Sequence, residues 1–165
     1  MSDCCANISH IAQHCGGNSP GIATTVYVQC KDDITAIGPS VNNVVSLITG
    51  DFFSWSISKF DQSYVGEPEG DDDSLSFNHT LTVFVPRMNP TKTEILNSIL
   101  GGEMIVVFTD RNGETYILGD EDEGATIRSS PQTNDKNGYV VTISWTTNRM
   151  LYNYDGAITE VVVGS

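Results

Sequence analysis

Residues able to do chemistry gather in three places along the 165-residue chain. Gly66–Asp73 reads G-E-P-E-G-D-D-D and sets five carboxylates, Glu67, Glu69, Asp71, Asp72 and Asp73, within seven residues. Asp120–Glu123 is a second acidic turn. The N-terminus carries Cys4, Cys5, His10, His14 and Cys15 as C-C-x4-H-x3-H-C. Thiolate and imidazole suit zinc, and His10 and His14 would share one helix face. Adjacent Cys4 and Cys5 do not make a Cys-x-x-Cys knuckle, so this segment reads as an arm, with a metal site as the alternative. Oxygen-rich loops suit calcium, but Asp71-Asp72-Asp73 lacks the spaced ligands and the glycine of a helix–loop–helix site. The preferred reading of Glu67–Asp73 is a solvated acidic loop. No nucleophile elbow, phosphate loop or dinucleotide fingerprint is present, and no pair of carboxylates is singled out for glycoside hydrolysis. The expectation is a protein that is not an enzyme and uses no cofactor.

Composition narrows the classes further. The chain is 39% hydrophobic, enough for one globular domain with its own core. No apolar run reaches the length of a membrane span, and Met1–Asp3 does not open a signal peptide. The net charge of −13 argues against a phosphate-binding surface and against an anionic membrane as partner, while permitting a wall that repels DNA. Cys4, Cys5, Cys15 and Cys30, with no secretion signal ahead of them, are expected as reduced thiols made in the cytosol.

The elements that must position these groups are mostly strands. Residues 1–21 read as an N-terminal arm and linker, and 22–165 as a single β-rich domain. Ala23–Cys30 and Asn43–Thr49 are candidate strands rich in β-branched residues. Phe52–Pro86 reads as one long hairpin with arms Phe52–Val65 and Ser74–Pro86 around the acidic tip. Its apolar positions are Phe53, Trp55 and Ile57 on the first arm, and Leu75, Phe77, Leu81, Val83 and Val85 on the second. His79 falls on that second apolar face and reads as an edge or interface residue. One helix is expected over 90–100, capped by Asn89 or Thr91, with Pro90 at its first position and Ile95, Leu96, Ile99 and Leu100 as its apolar stripe. Gly101-Gly102 stops it. Asn112-Gly113 predicts a tight hairpin between Met104–Thr109 and Glu114–Leu118, and Tyr139–Thr146 alternates as another strand. Seven to nine strands and one helix give a mainly β fold: a β-sandwich or partly closed barrel with one flanking α-helix and a long protruding β-hairpin.

An arm of that length with an apolar face outgrows the core of so short a chain. Partners must cover it or it aggregates, and a closed ring supplies partners through repeated heterologous contacts. High negative charge would keep the unassembled chain soluble.

The order of elements, together with V-V-F-T-D-R-N-G-E-T-Y-I-L-G at Val106–Gly119, Gly124-Ala125, and N-G-Y-V-V-T-I-S-W at Asn137–Trp145, resembles the tail tube (major tail) proteins of long-tailed bacteriophages and related virion proteins of Bacteroidetes phages and prophages. The resemblance is one of pattern over roughly Ala23–Val163. It implies a virion structural protein made in the host cytoplasm and placed in the tail, self-assembling into hexameric rings that stack with other tail proteins. DNA would pass along the channel without specific binding, and no membrane would be involved. Carried over by position, Phe60, Gln62, Tyr64, Glu67, Glu69, Asp71, Asp72, Asp73 and Phe77 would lie at assembly contacts or at an acidic lumen. The alternative from another class is a β-sandwich binding module for a carbohydrate or cell-surface ligand. Tyr64, Trp145, Tyr152 and Tyr154 would form its exposed platform.

Overall fold

The computed structural model describes residues 22–58, 62–71, 74–133 and 137–160. In chain order its strands are β1 (Ile22–Cys30), β2 (Ala36–Ile37), β3 (Val44–Val45), β4 (Ile48–Thr49), β5 (Asp51–Ser56), β6 (Ser63–Glu69) and β7 (Ser76–Pro86). The one α-helix among the described residues, α1 (Pro90–Ser98), precedes β8 (Met104–Asp110), β9 (Thr115–Leu118), β10 (Thr126–Gln132), β11 (Gly138–Thr147), β12 (Tyr152–Tyr154) and β13 (Thr159–Glu160). They form a seven-stranded sheet, β13-β5-β1-β8-β9-β12-β3, a four-stranded sheet, β10-β11-β7-β6, and the small pair β2-β4. Among the described residues no barrel closes. The fold is mainly β and sandwich-like, with one α-helix among the described residues, as the strand patterning predicts.

The chemistry of β8 explains the layering. Met104, Val106 and Phe108 pack into the core shared with the four-stranded sheet, while Ile105 and Val107 pack into a second cluster on the opposite face. That outer face is covered by Ile34, Val45, Ile48, Phe52 and Tyr154. A strand buried on both faces has no need of alternation, which is why M-I-V-V-F is apolar throughout. In the four-stranded sheet only one face is dry. Leu81, Val83, Val85, Val141, Ile143 and Trp145 point into the core. The same strands place Thr80, Thr82, Thr142 and Ser144 on the other face.

The expected single hairpin over Phe52–Pro86 is divided between the two sheets. Phe53 and Trp55 pair with Val28 and Val26 of β1, whereas Ser63–Glu69 pairs with β7. Between them the chain crosses from one layer to the other, where the Ser58 N–H donates to Phe84 O at 2.8 Å and the Gln62 amide donates to Ser58 O at 2.7 Å. The hairpin is therefore β6–β7. Glu67 and Glu69 are strand residues paired with Asn78 and Ser76, and the turn begins at Gly70. Period-two alternation reports which face a residue occupies and is silent about which sheet the strand joins.

The helix is shorter than its apolar stripe. Asn89 is the cap, its side chain accepting from the Lys92 N–H at 2.8 Å, with Pro90 opening the helix. Leu96 is buried and Ile99 half-buried against the core, but Ile95 and Leu100 are exposed. With the last helical residue at Ser98, only the Leu96 side reaches the sandwich.

Candidate functional site

The acidic positions lie along a sheet edge. Among the described residues β6 pairs only with β7, and β10, at the other edge, only with β11. Glu67, Glu69 and Asp71 are all exposed. Gly70 turns the chain with φ of +92°, where a Cβ would stand 2.6 Å from Ser74 O, so this turn needs glycine. The Ser74 N–H closes it on Asp71 O at 2.9 Å. Leu75 and Val65 are 46% exposed on either side of the turn.

Register arranges the wet face in rows. Arg128, Thr142, Thr82 and Ser63 stand level across the four strands, followed by Thr126, Ser144, Thr80 and Val65. Next come Thr146, Asn78 and Glu67. The result is a hydroxyl- and amide-rich surface with carboxylates at its β6 edge and the Arg128 guanidinium at its β10 edge.

Behind this edge lies an aromatic cluster. His79 is completely buried; Tyr64 Oη lies 2.7 Å from its Nδ1 and Arg149 O lies 2.9 Å from its Nε2. A carbonyl oxygen only accepts, so Nε2 carries the proton, and in the neutral ring Nδ1 accepts from the Tyr64 hydroxyl. Burial holds the His79 pKa below its ordinary value, the nearby Arg149 charge adds to this, and the bond to Arg149 O opposes it. Burial pushes the Tyr64 hydroxyl up to about 12, with Tyr116 adding to it. Gly66 stands level with His79 across β6 and β7. A Cβ there would lie 2.9 Å from Tyr64 Oη and 3.2 Å from His79 Nδ1, so glycine makes room for the pair. Phe77, two residues earlier on β7, and Trp145, paired with His79 across β11, both stack against the His79 ring. Arg149 lays its guanidinium 3.5 Å from the centre of the Tyr152 ring and 3.6 Å from Asp120. The cluster opens on a cleft of about 340 Å³ lined by Tyr64, Phe77, Tyr116 and Asn153, among others. It is a clasp: β6 is tied through Tyr64 and His79 to the chain that enters β12.

The predicted site residues are thus only partly gathered. Gln62, Tyr64, Glu67, Glu69, Asp71 and Phe77 share the β6–β7 hairpin, with Tyr64 and Phe77 half-buried on its inner side and the acids outside. Phe60, Asp72 and Asp73 lie outside the described residues, as do Cys4, Cys5, His10, His14 and Cys15 of the arm. Among the described residues no three His, Cys, Asp or Glu side chains stand together as a metal site would need. Two of the Asp120–Glu123 carboxylates are engaged by the protein: Asp120 accepts from the Glu121 N–H at 2.6 Å and faces Arg149, and Glu121 accepts from the Ile37 N–H. The proposed aromatic platform does not lie open. Trp145 and Tyr154 are buried and Tyr152 is covered by Arg149. His79 is a core residue, not an edge or interface residue. Its position within the apolar alternation of β7 is the one sequence signal that pointed inward.

The chain matches no known family model, no curated protein and no solved structure. No helix among the described residues is long and apolar enough to cross a membrane.

Proposed function

We propose that this chain is a virion structural protein, a subunit of a phage tail tube that assembles into stacked rings around a DNA channel. The observation that carries the reading is the four-stranded sheet, whose two edges are unpaired among the described residues. Its strands alternate in direction through three antiparallel pairings, so β6 and β10 run oppositely. When β6 of one copy lies beside β10 of an identically oriented neighbour, the pair is antiparallel and the alternation continues across the joint. The same step repeated closes a ring through heterologous contacts. Pro68 and Pro131 sit toward opposite ends of the two edge strands, leaving Ser63–Glu67 and Thr126–Ser130 free of proline for that pairing. Arg128 is opposite in sign to Glu67 and Glu69, which lie two and three rows along from it, so a joint staggered along the strands brings them together.

In such a ring the Thr/Ser/Asn face would line the channel. Carboxylates along it repel DNA, so the polymer passes without specific binding, over a range set by a screening length of about 8–10 Å. Charge pairing between edges sets register more than affinity.

Sedimentation velocity on the full chain tests this. The expected result is concentration-dependent association, several-fold weaker in Arg128→Glu and regained when Glu67→Lys and Glu69→Lys are added. Association that ignores all three substitutions would separate it from these edges.

A further inference from the structure

We propose that the cleft beside the clasp, between the β6–β7 hairpin and strands β9 and β12, is a binding site for one neutral sugar ring. This goes beyond the assembly reading and does not depend on it. Tyr116, Tyr64, His79 and Phe77 all line the cleft of about 340 Å³. Successive ring centres in that series lie 6.5, 6.0 and 6.2 Å apart, and neighbouring planes agree to within 15°. Rings so nearly parallel and so far apart cannot lie face on face at contact distance, so they step sideways. The result is a stepped aromatic wall. Three of its rings, Tyr64, Phe77 and Tyr116, are only half-buried. The set shares only Tyr64 with the platform expected from the sequence, whose other members are buried or covered.

Polar groups join this wall and are poorly used by the protein. The Tyr116 hydroxyl reaches Asp110 Oδ2 at 3.4 Å, and the Asn153 amide reaches Glu114 Oε2 at 3.5 Å. Both distances stand at the outer limit of a hydrogen bond. Asn43 also lines the cleft. Its amide donates to Leu151 O at 3.1 Å and to Asn153 Oδ1 at 3.3 Å, which orients the Asn153 carboxamide. Met150, 67% exposed, adds an adaptable thioether to the lining.

The lining selects the class of occupant. Among the described residues no Asp, Glu, Lys or Arg lines the cleft, in a chain of net charge −13. That charge repels an anion, and a cation would enter with no carboxylate on the wall to meet it. A plain hydrocarbon would suit the rings but would bury the Tyr116 hydroxyl and the Asn153 amide with no better partners than they have. A pyranose ring answers both demands. Its C–H face packs on aromatic rings, and its hydroxyls donate and accept, as a phenol and two carboxamides require. Ligand pockets begin at about 300 Å³, so this one takes a single ring, not a chain of them.

The test is saturation-transfer NMR on the full chain with the methyl glycosides of glucose, galactose, mannose and N-acetylglucosamine, each at millimolar concentration. At least one is expected to bind, with the strongest saturation on the C–H protons of one ring face. Tyr116→Phe keeps the ring and removes the hydroxyl, and should weaken that binding several-fold. Asn153→Ala should do the same, and Tyr116→Leu should abolish it. Thermal unfolding of each variant is compared with the parent, and if Tyr116→Leu does not fold, the other two variants decide. Ser130→Ala, on the distant edge strand β10, should change nothing. Glucuronate and cyclohexanol, the charged and the hydroxyl-poor probe, should bind several-fold more weakly than the best glycoside. No saturation on any of the glycosides overturns the proposal. Binding that survives both Tyr116→Phe and Asn153→Ala unchanged overturns it too, because the site then lies elsewhere. Cyclohexanol binding as tightly as the best glycoside would make the cleft a plain apolar one and also overturn it.

Discussion

Met104–Phe108, at the centre of the seven-stranded sheet, is buried residue after residue, while Ser63–Glu69, at the edge of the four-stranded sheet, is exposed at every position but Tyr64. Both are seven-residue strands or parts of them. The first is fixed from two sides by apolar clusters. The second is held by one neighbouring strand and by one side chain reaching inward. The difference separates a scaffold, which loses stability when changed, from a surface, which loses interactions when changed.

The contrast can be broken most severely at β8. Phe108→Ala should cost about 3–5 kcal/mol, since a fully buried ring touching both Tyr64 and Tyr116 leaves a cavity. Denaturant unfolding would measure it. A loss below about 1 kcal/mol would mean the sandwich core collapses easily around the site.

The clasp should show an intermediate effect with a pH signature. The folded His79 pKa lies below the unfolded value near 6.5. The unfolded chain therefore takes up the proton first as pH falls. The neutral-His79 contribution is complete above about pH 6.5 and is lost progressively between that value and the depressed folded one. Melting temperature followed from pH 7.5 to 4.5 should fall less steeply in His79→Gln than in the parent, once the lower starting stability is allowed for. Parallel curves would show that His79 does not set the slope. Gly66→Ala should cost about 1–3 kcal/mol by crowding the same pair.

The smallest effect on folding belongs to the edge. Replacing Glu67, Glu69, Asp71, Asp72 and Asp73 with Gln or Asn should change stability by about 0.5 kcal/mol or less per site. Assembly should survive in weakened form, because the attraction to Arg128 is lost, and DNA retention or ejection in a particle should change. A calcium-dependent rise in melting temperature of the parent, abolished by the same substitutions, would instead make the loop a cation site.

Much of this layering was legible in the residues. The Asp110–Gly113 turn formed as its N-G signal predicts, with Asp110 Oδ1 accepting from the Asn112 and Glu114 N–H groups and Gly113 at φ of +95°. The cap at Asn89 and the alternation of β7 and β11 were also readable. The split of Phe52–Pro86 was not, because Ser54 and Ser63 carry the same alternation in different sheets. The exposure of Leu100 was hidden by a helical stripe that continues past the end of the helix. The clasp depends on His79 meeting Arg149, 70 positions away, and on a glycine opposite, which only register reveals.

Electron microscopy of the concentrated full chain tests the central claim most directly. The expected images are closed rings of uniform diameter with a central channel, stacking into tubes at higher concentration. Uniformly dispersed single copies at every concentration reached would contradict it.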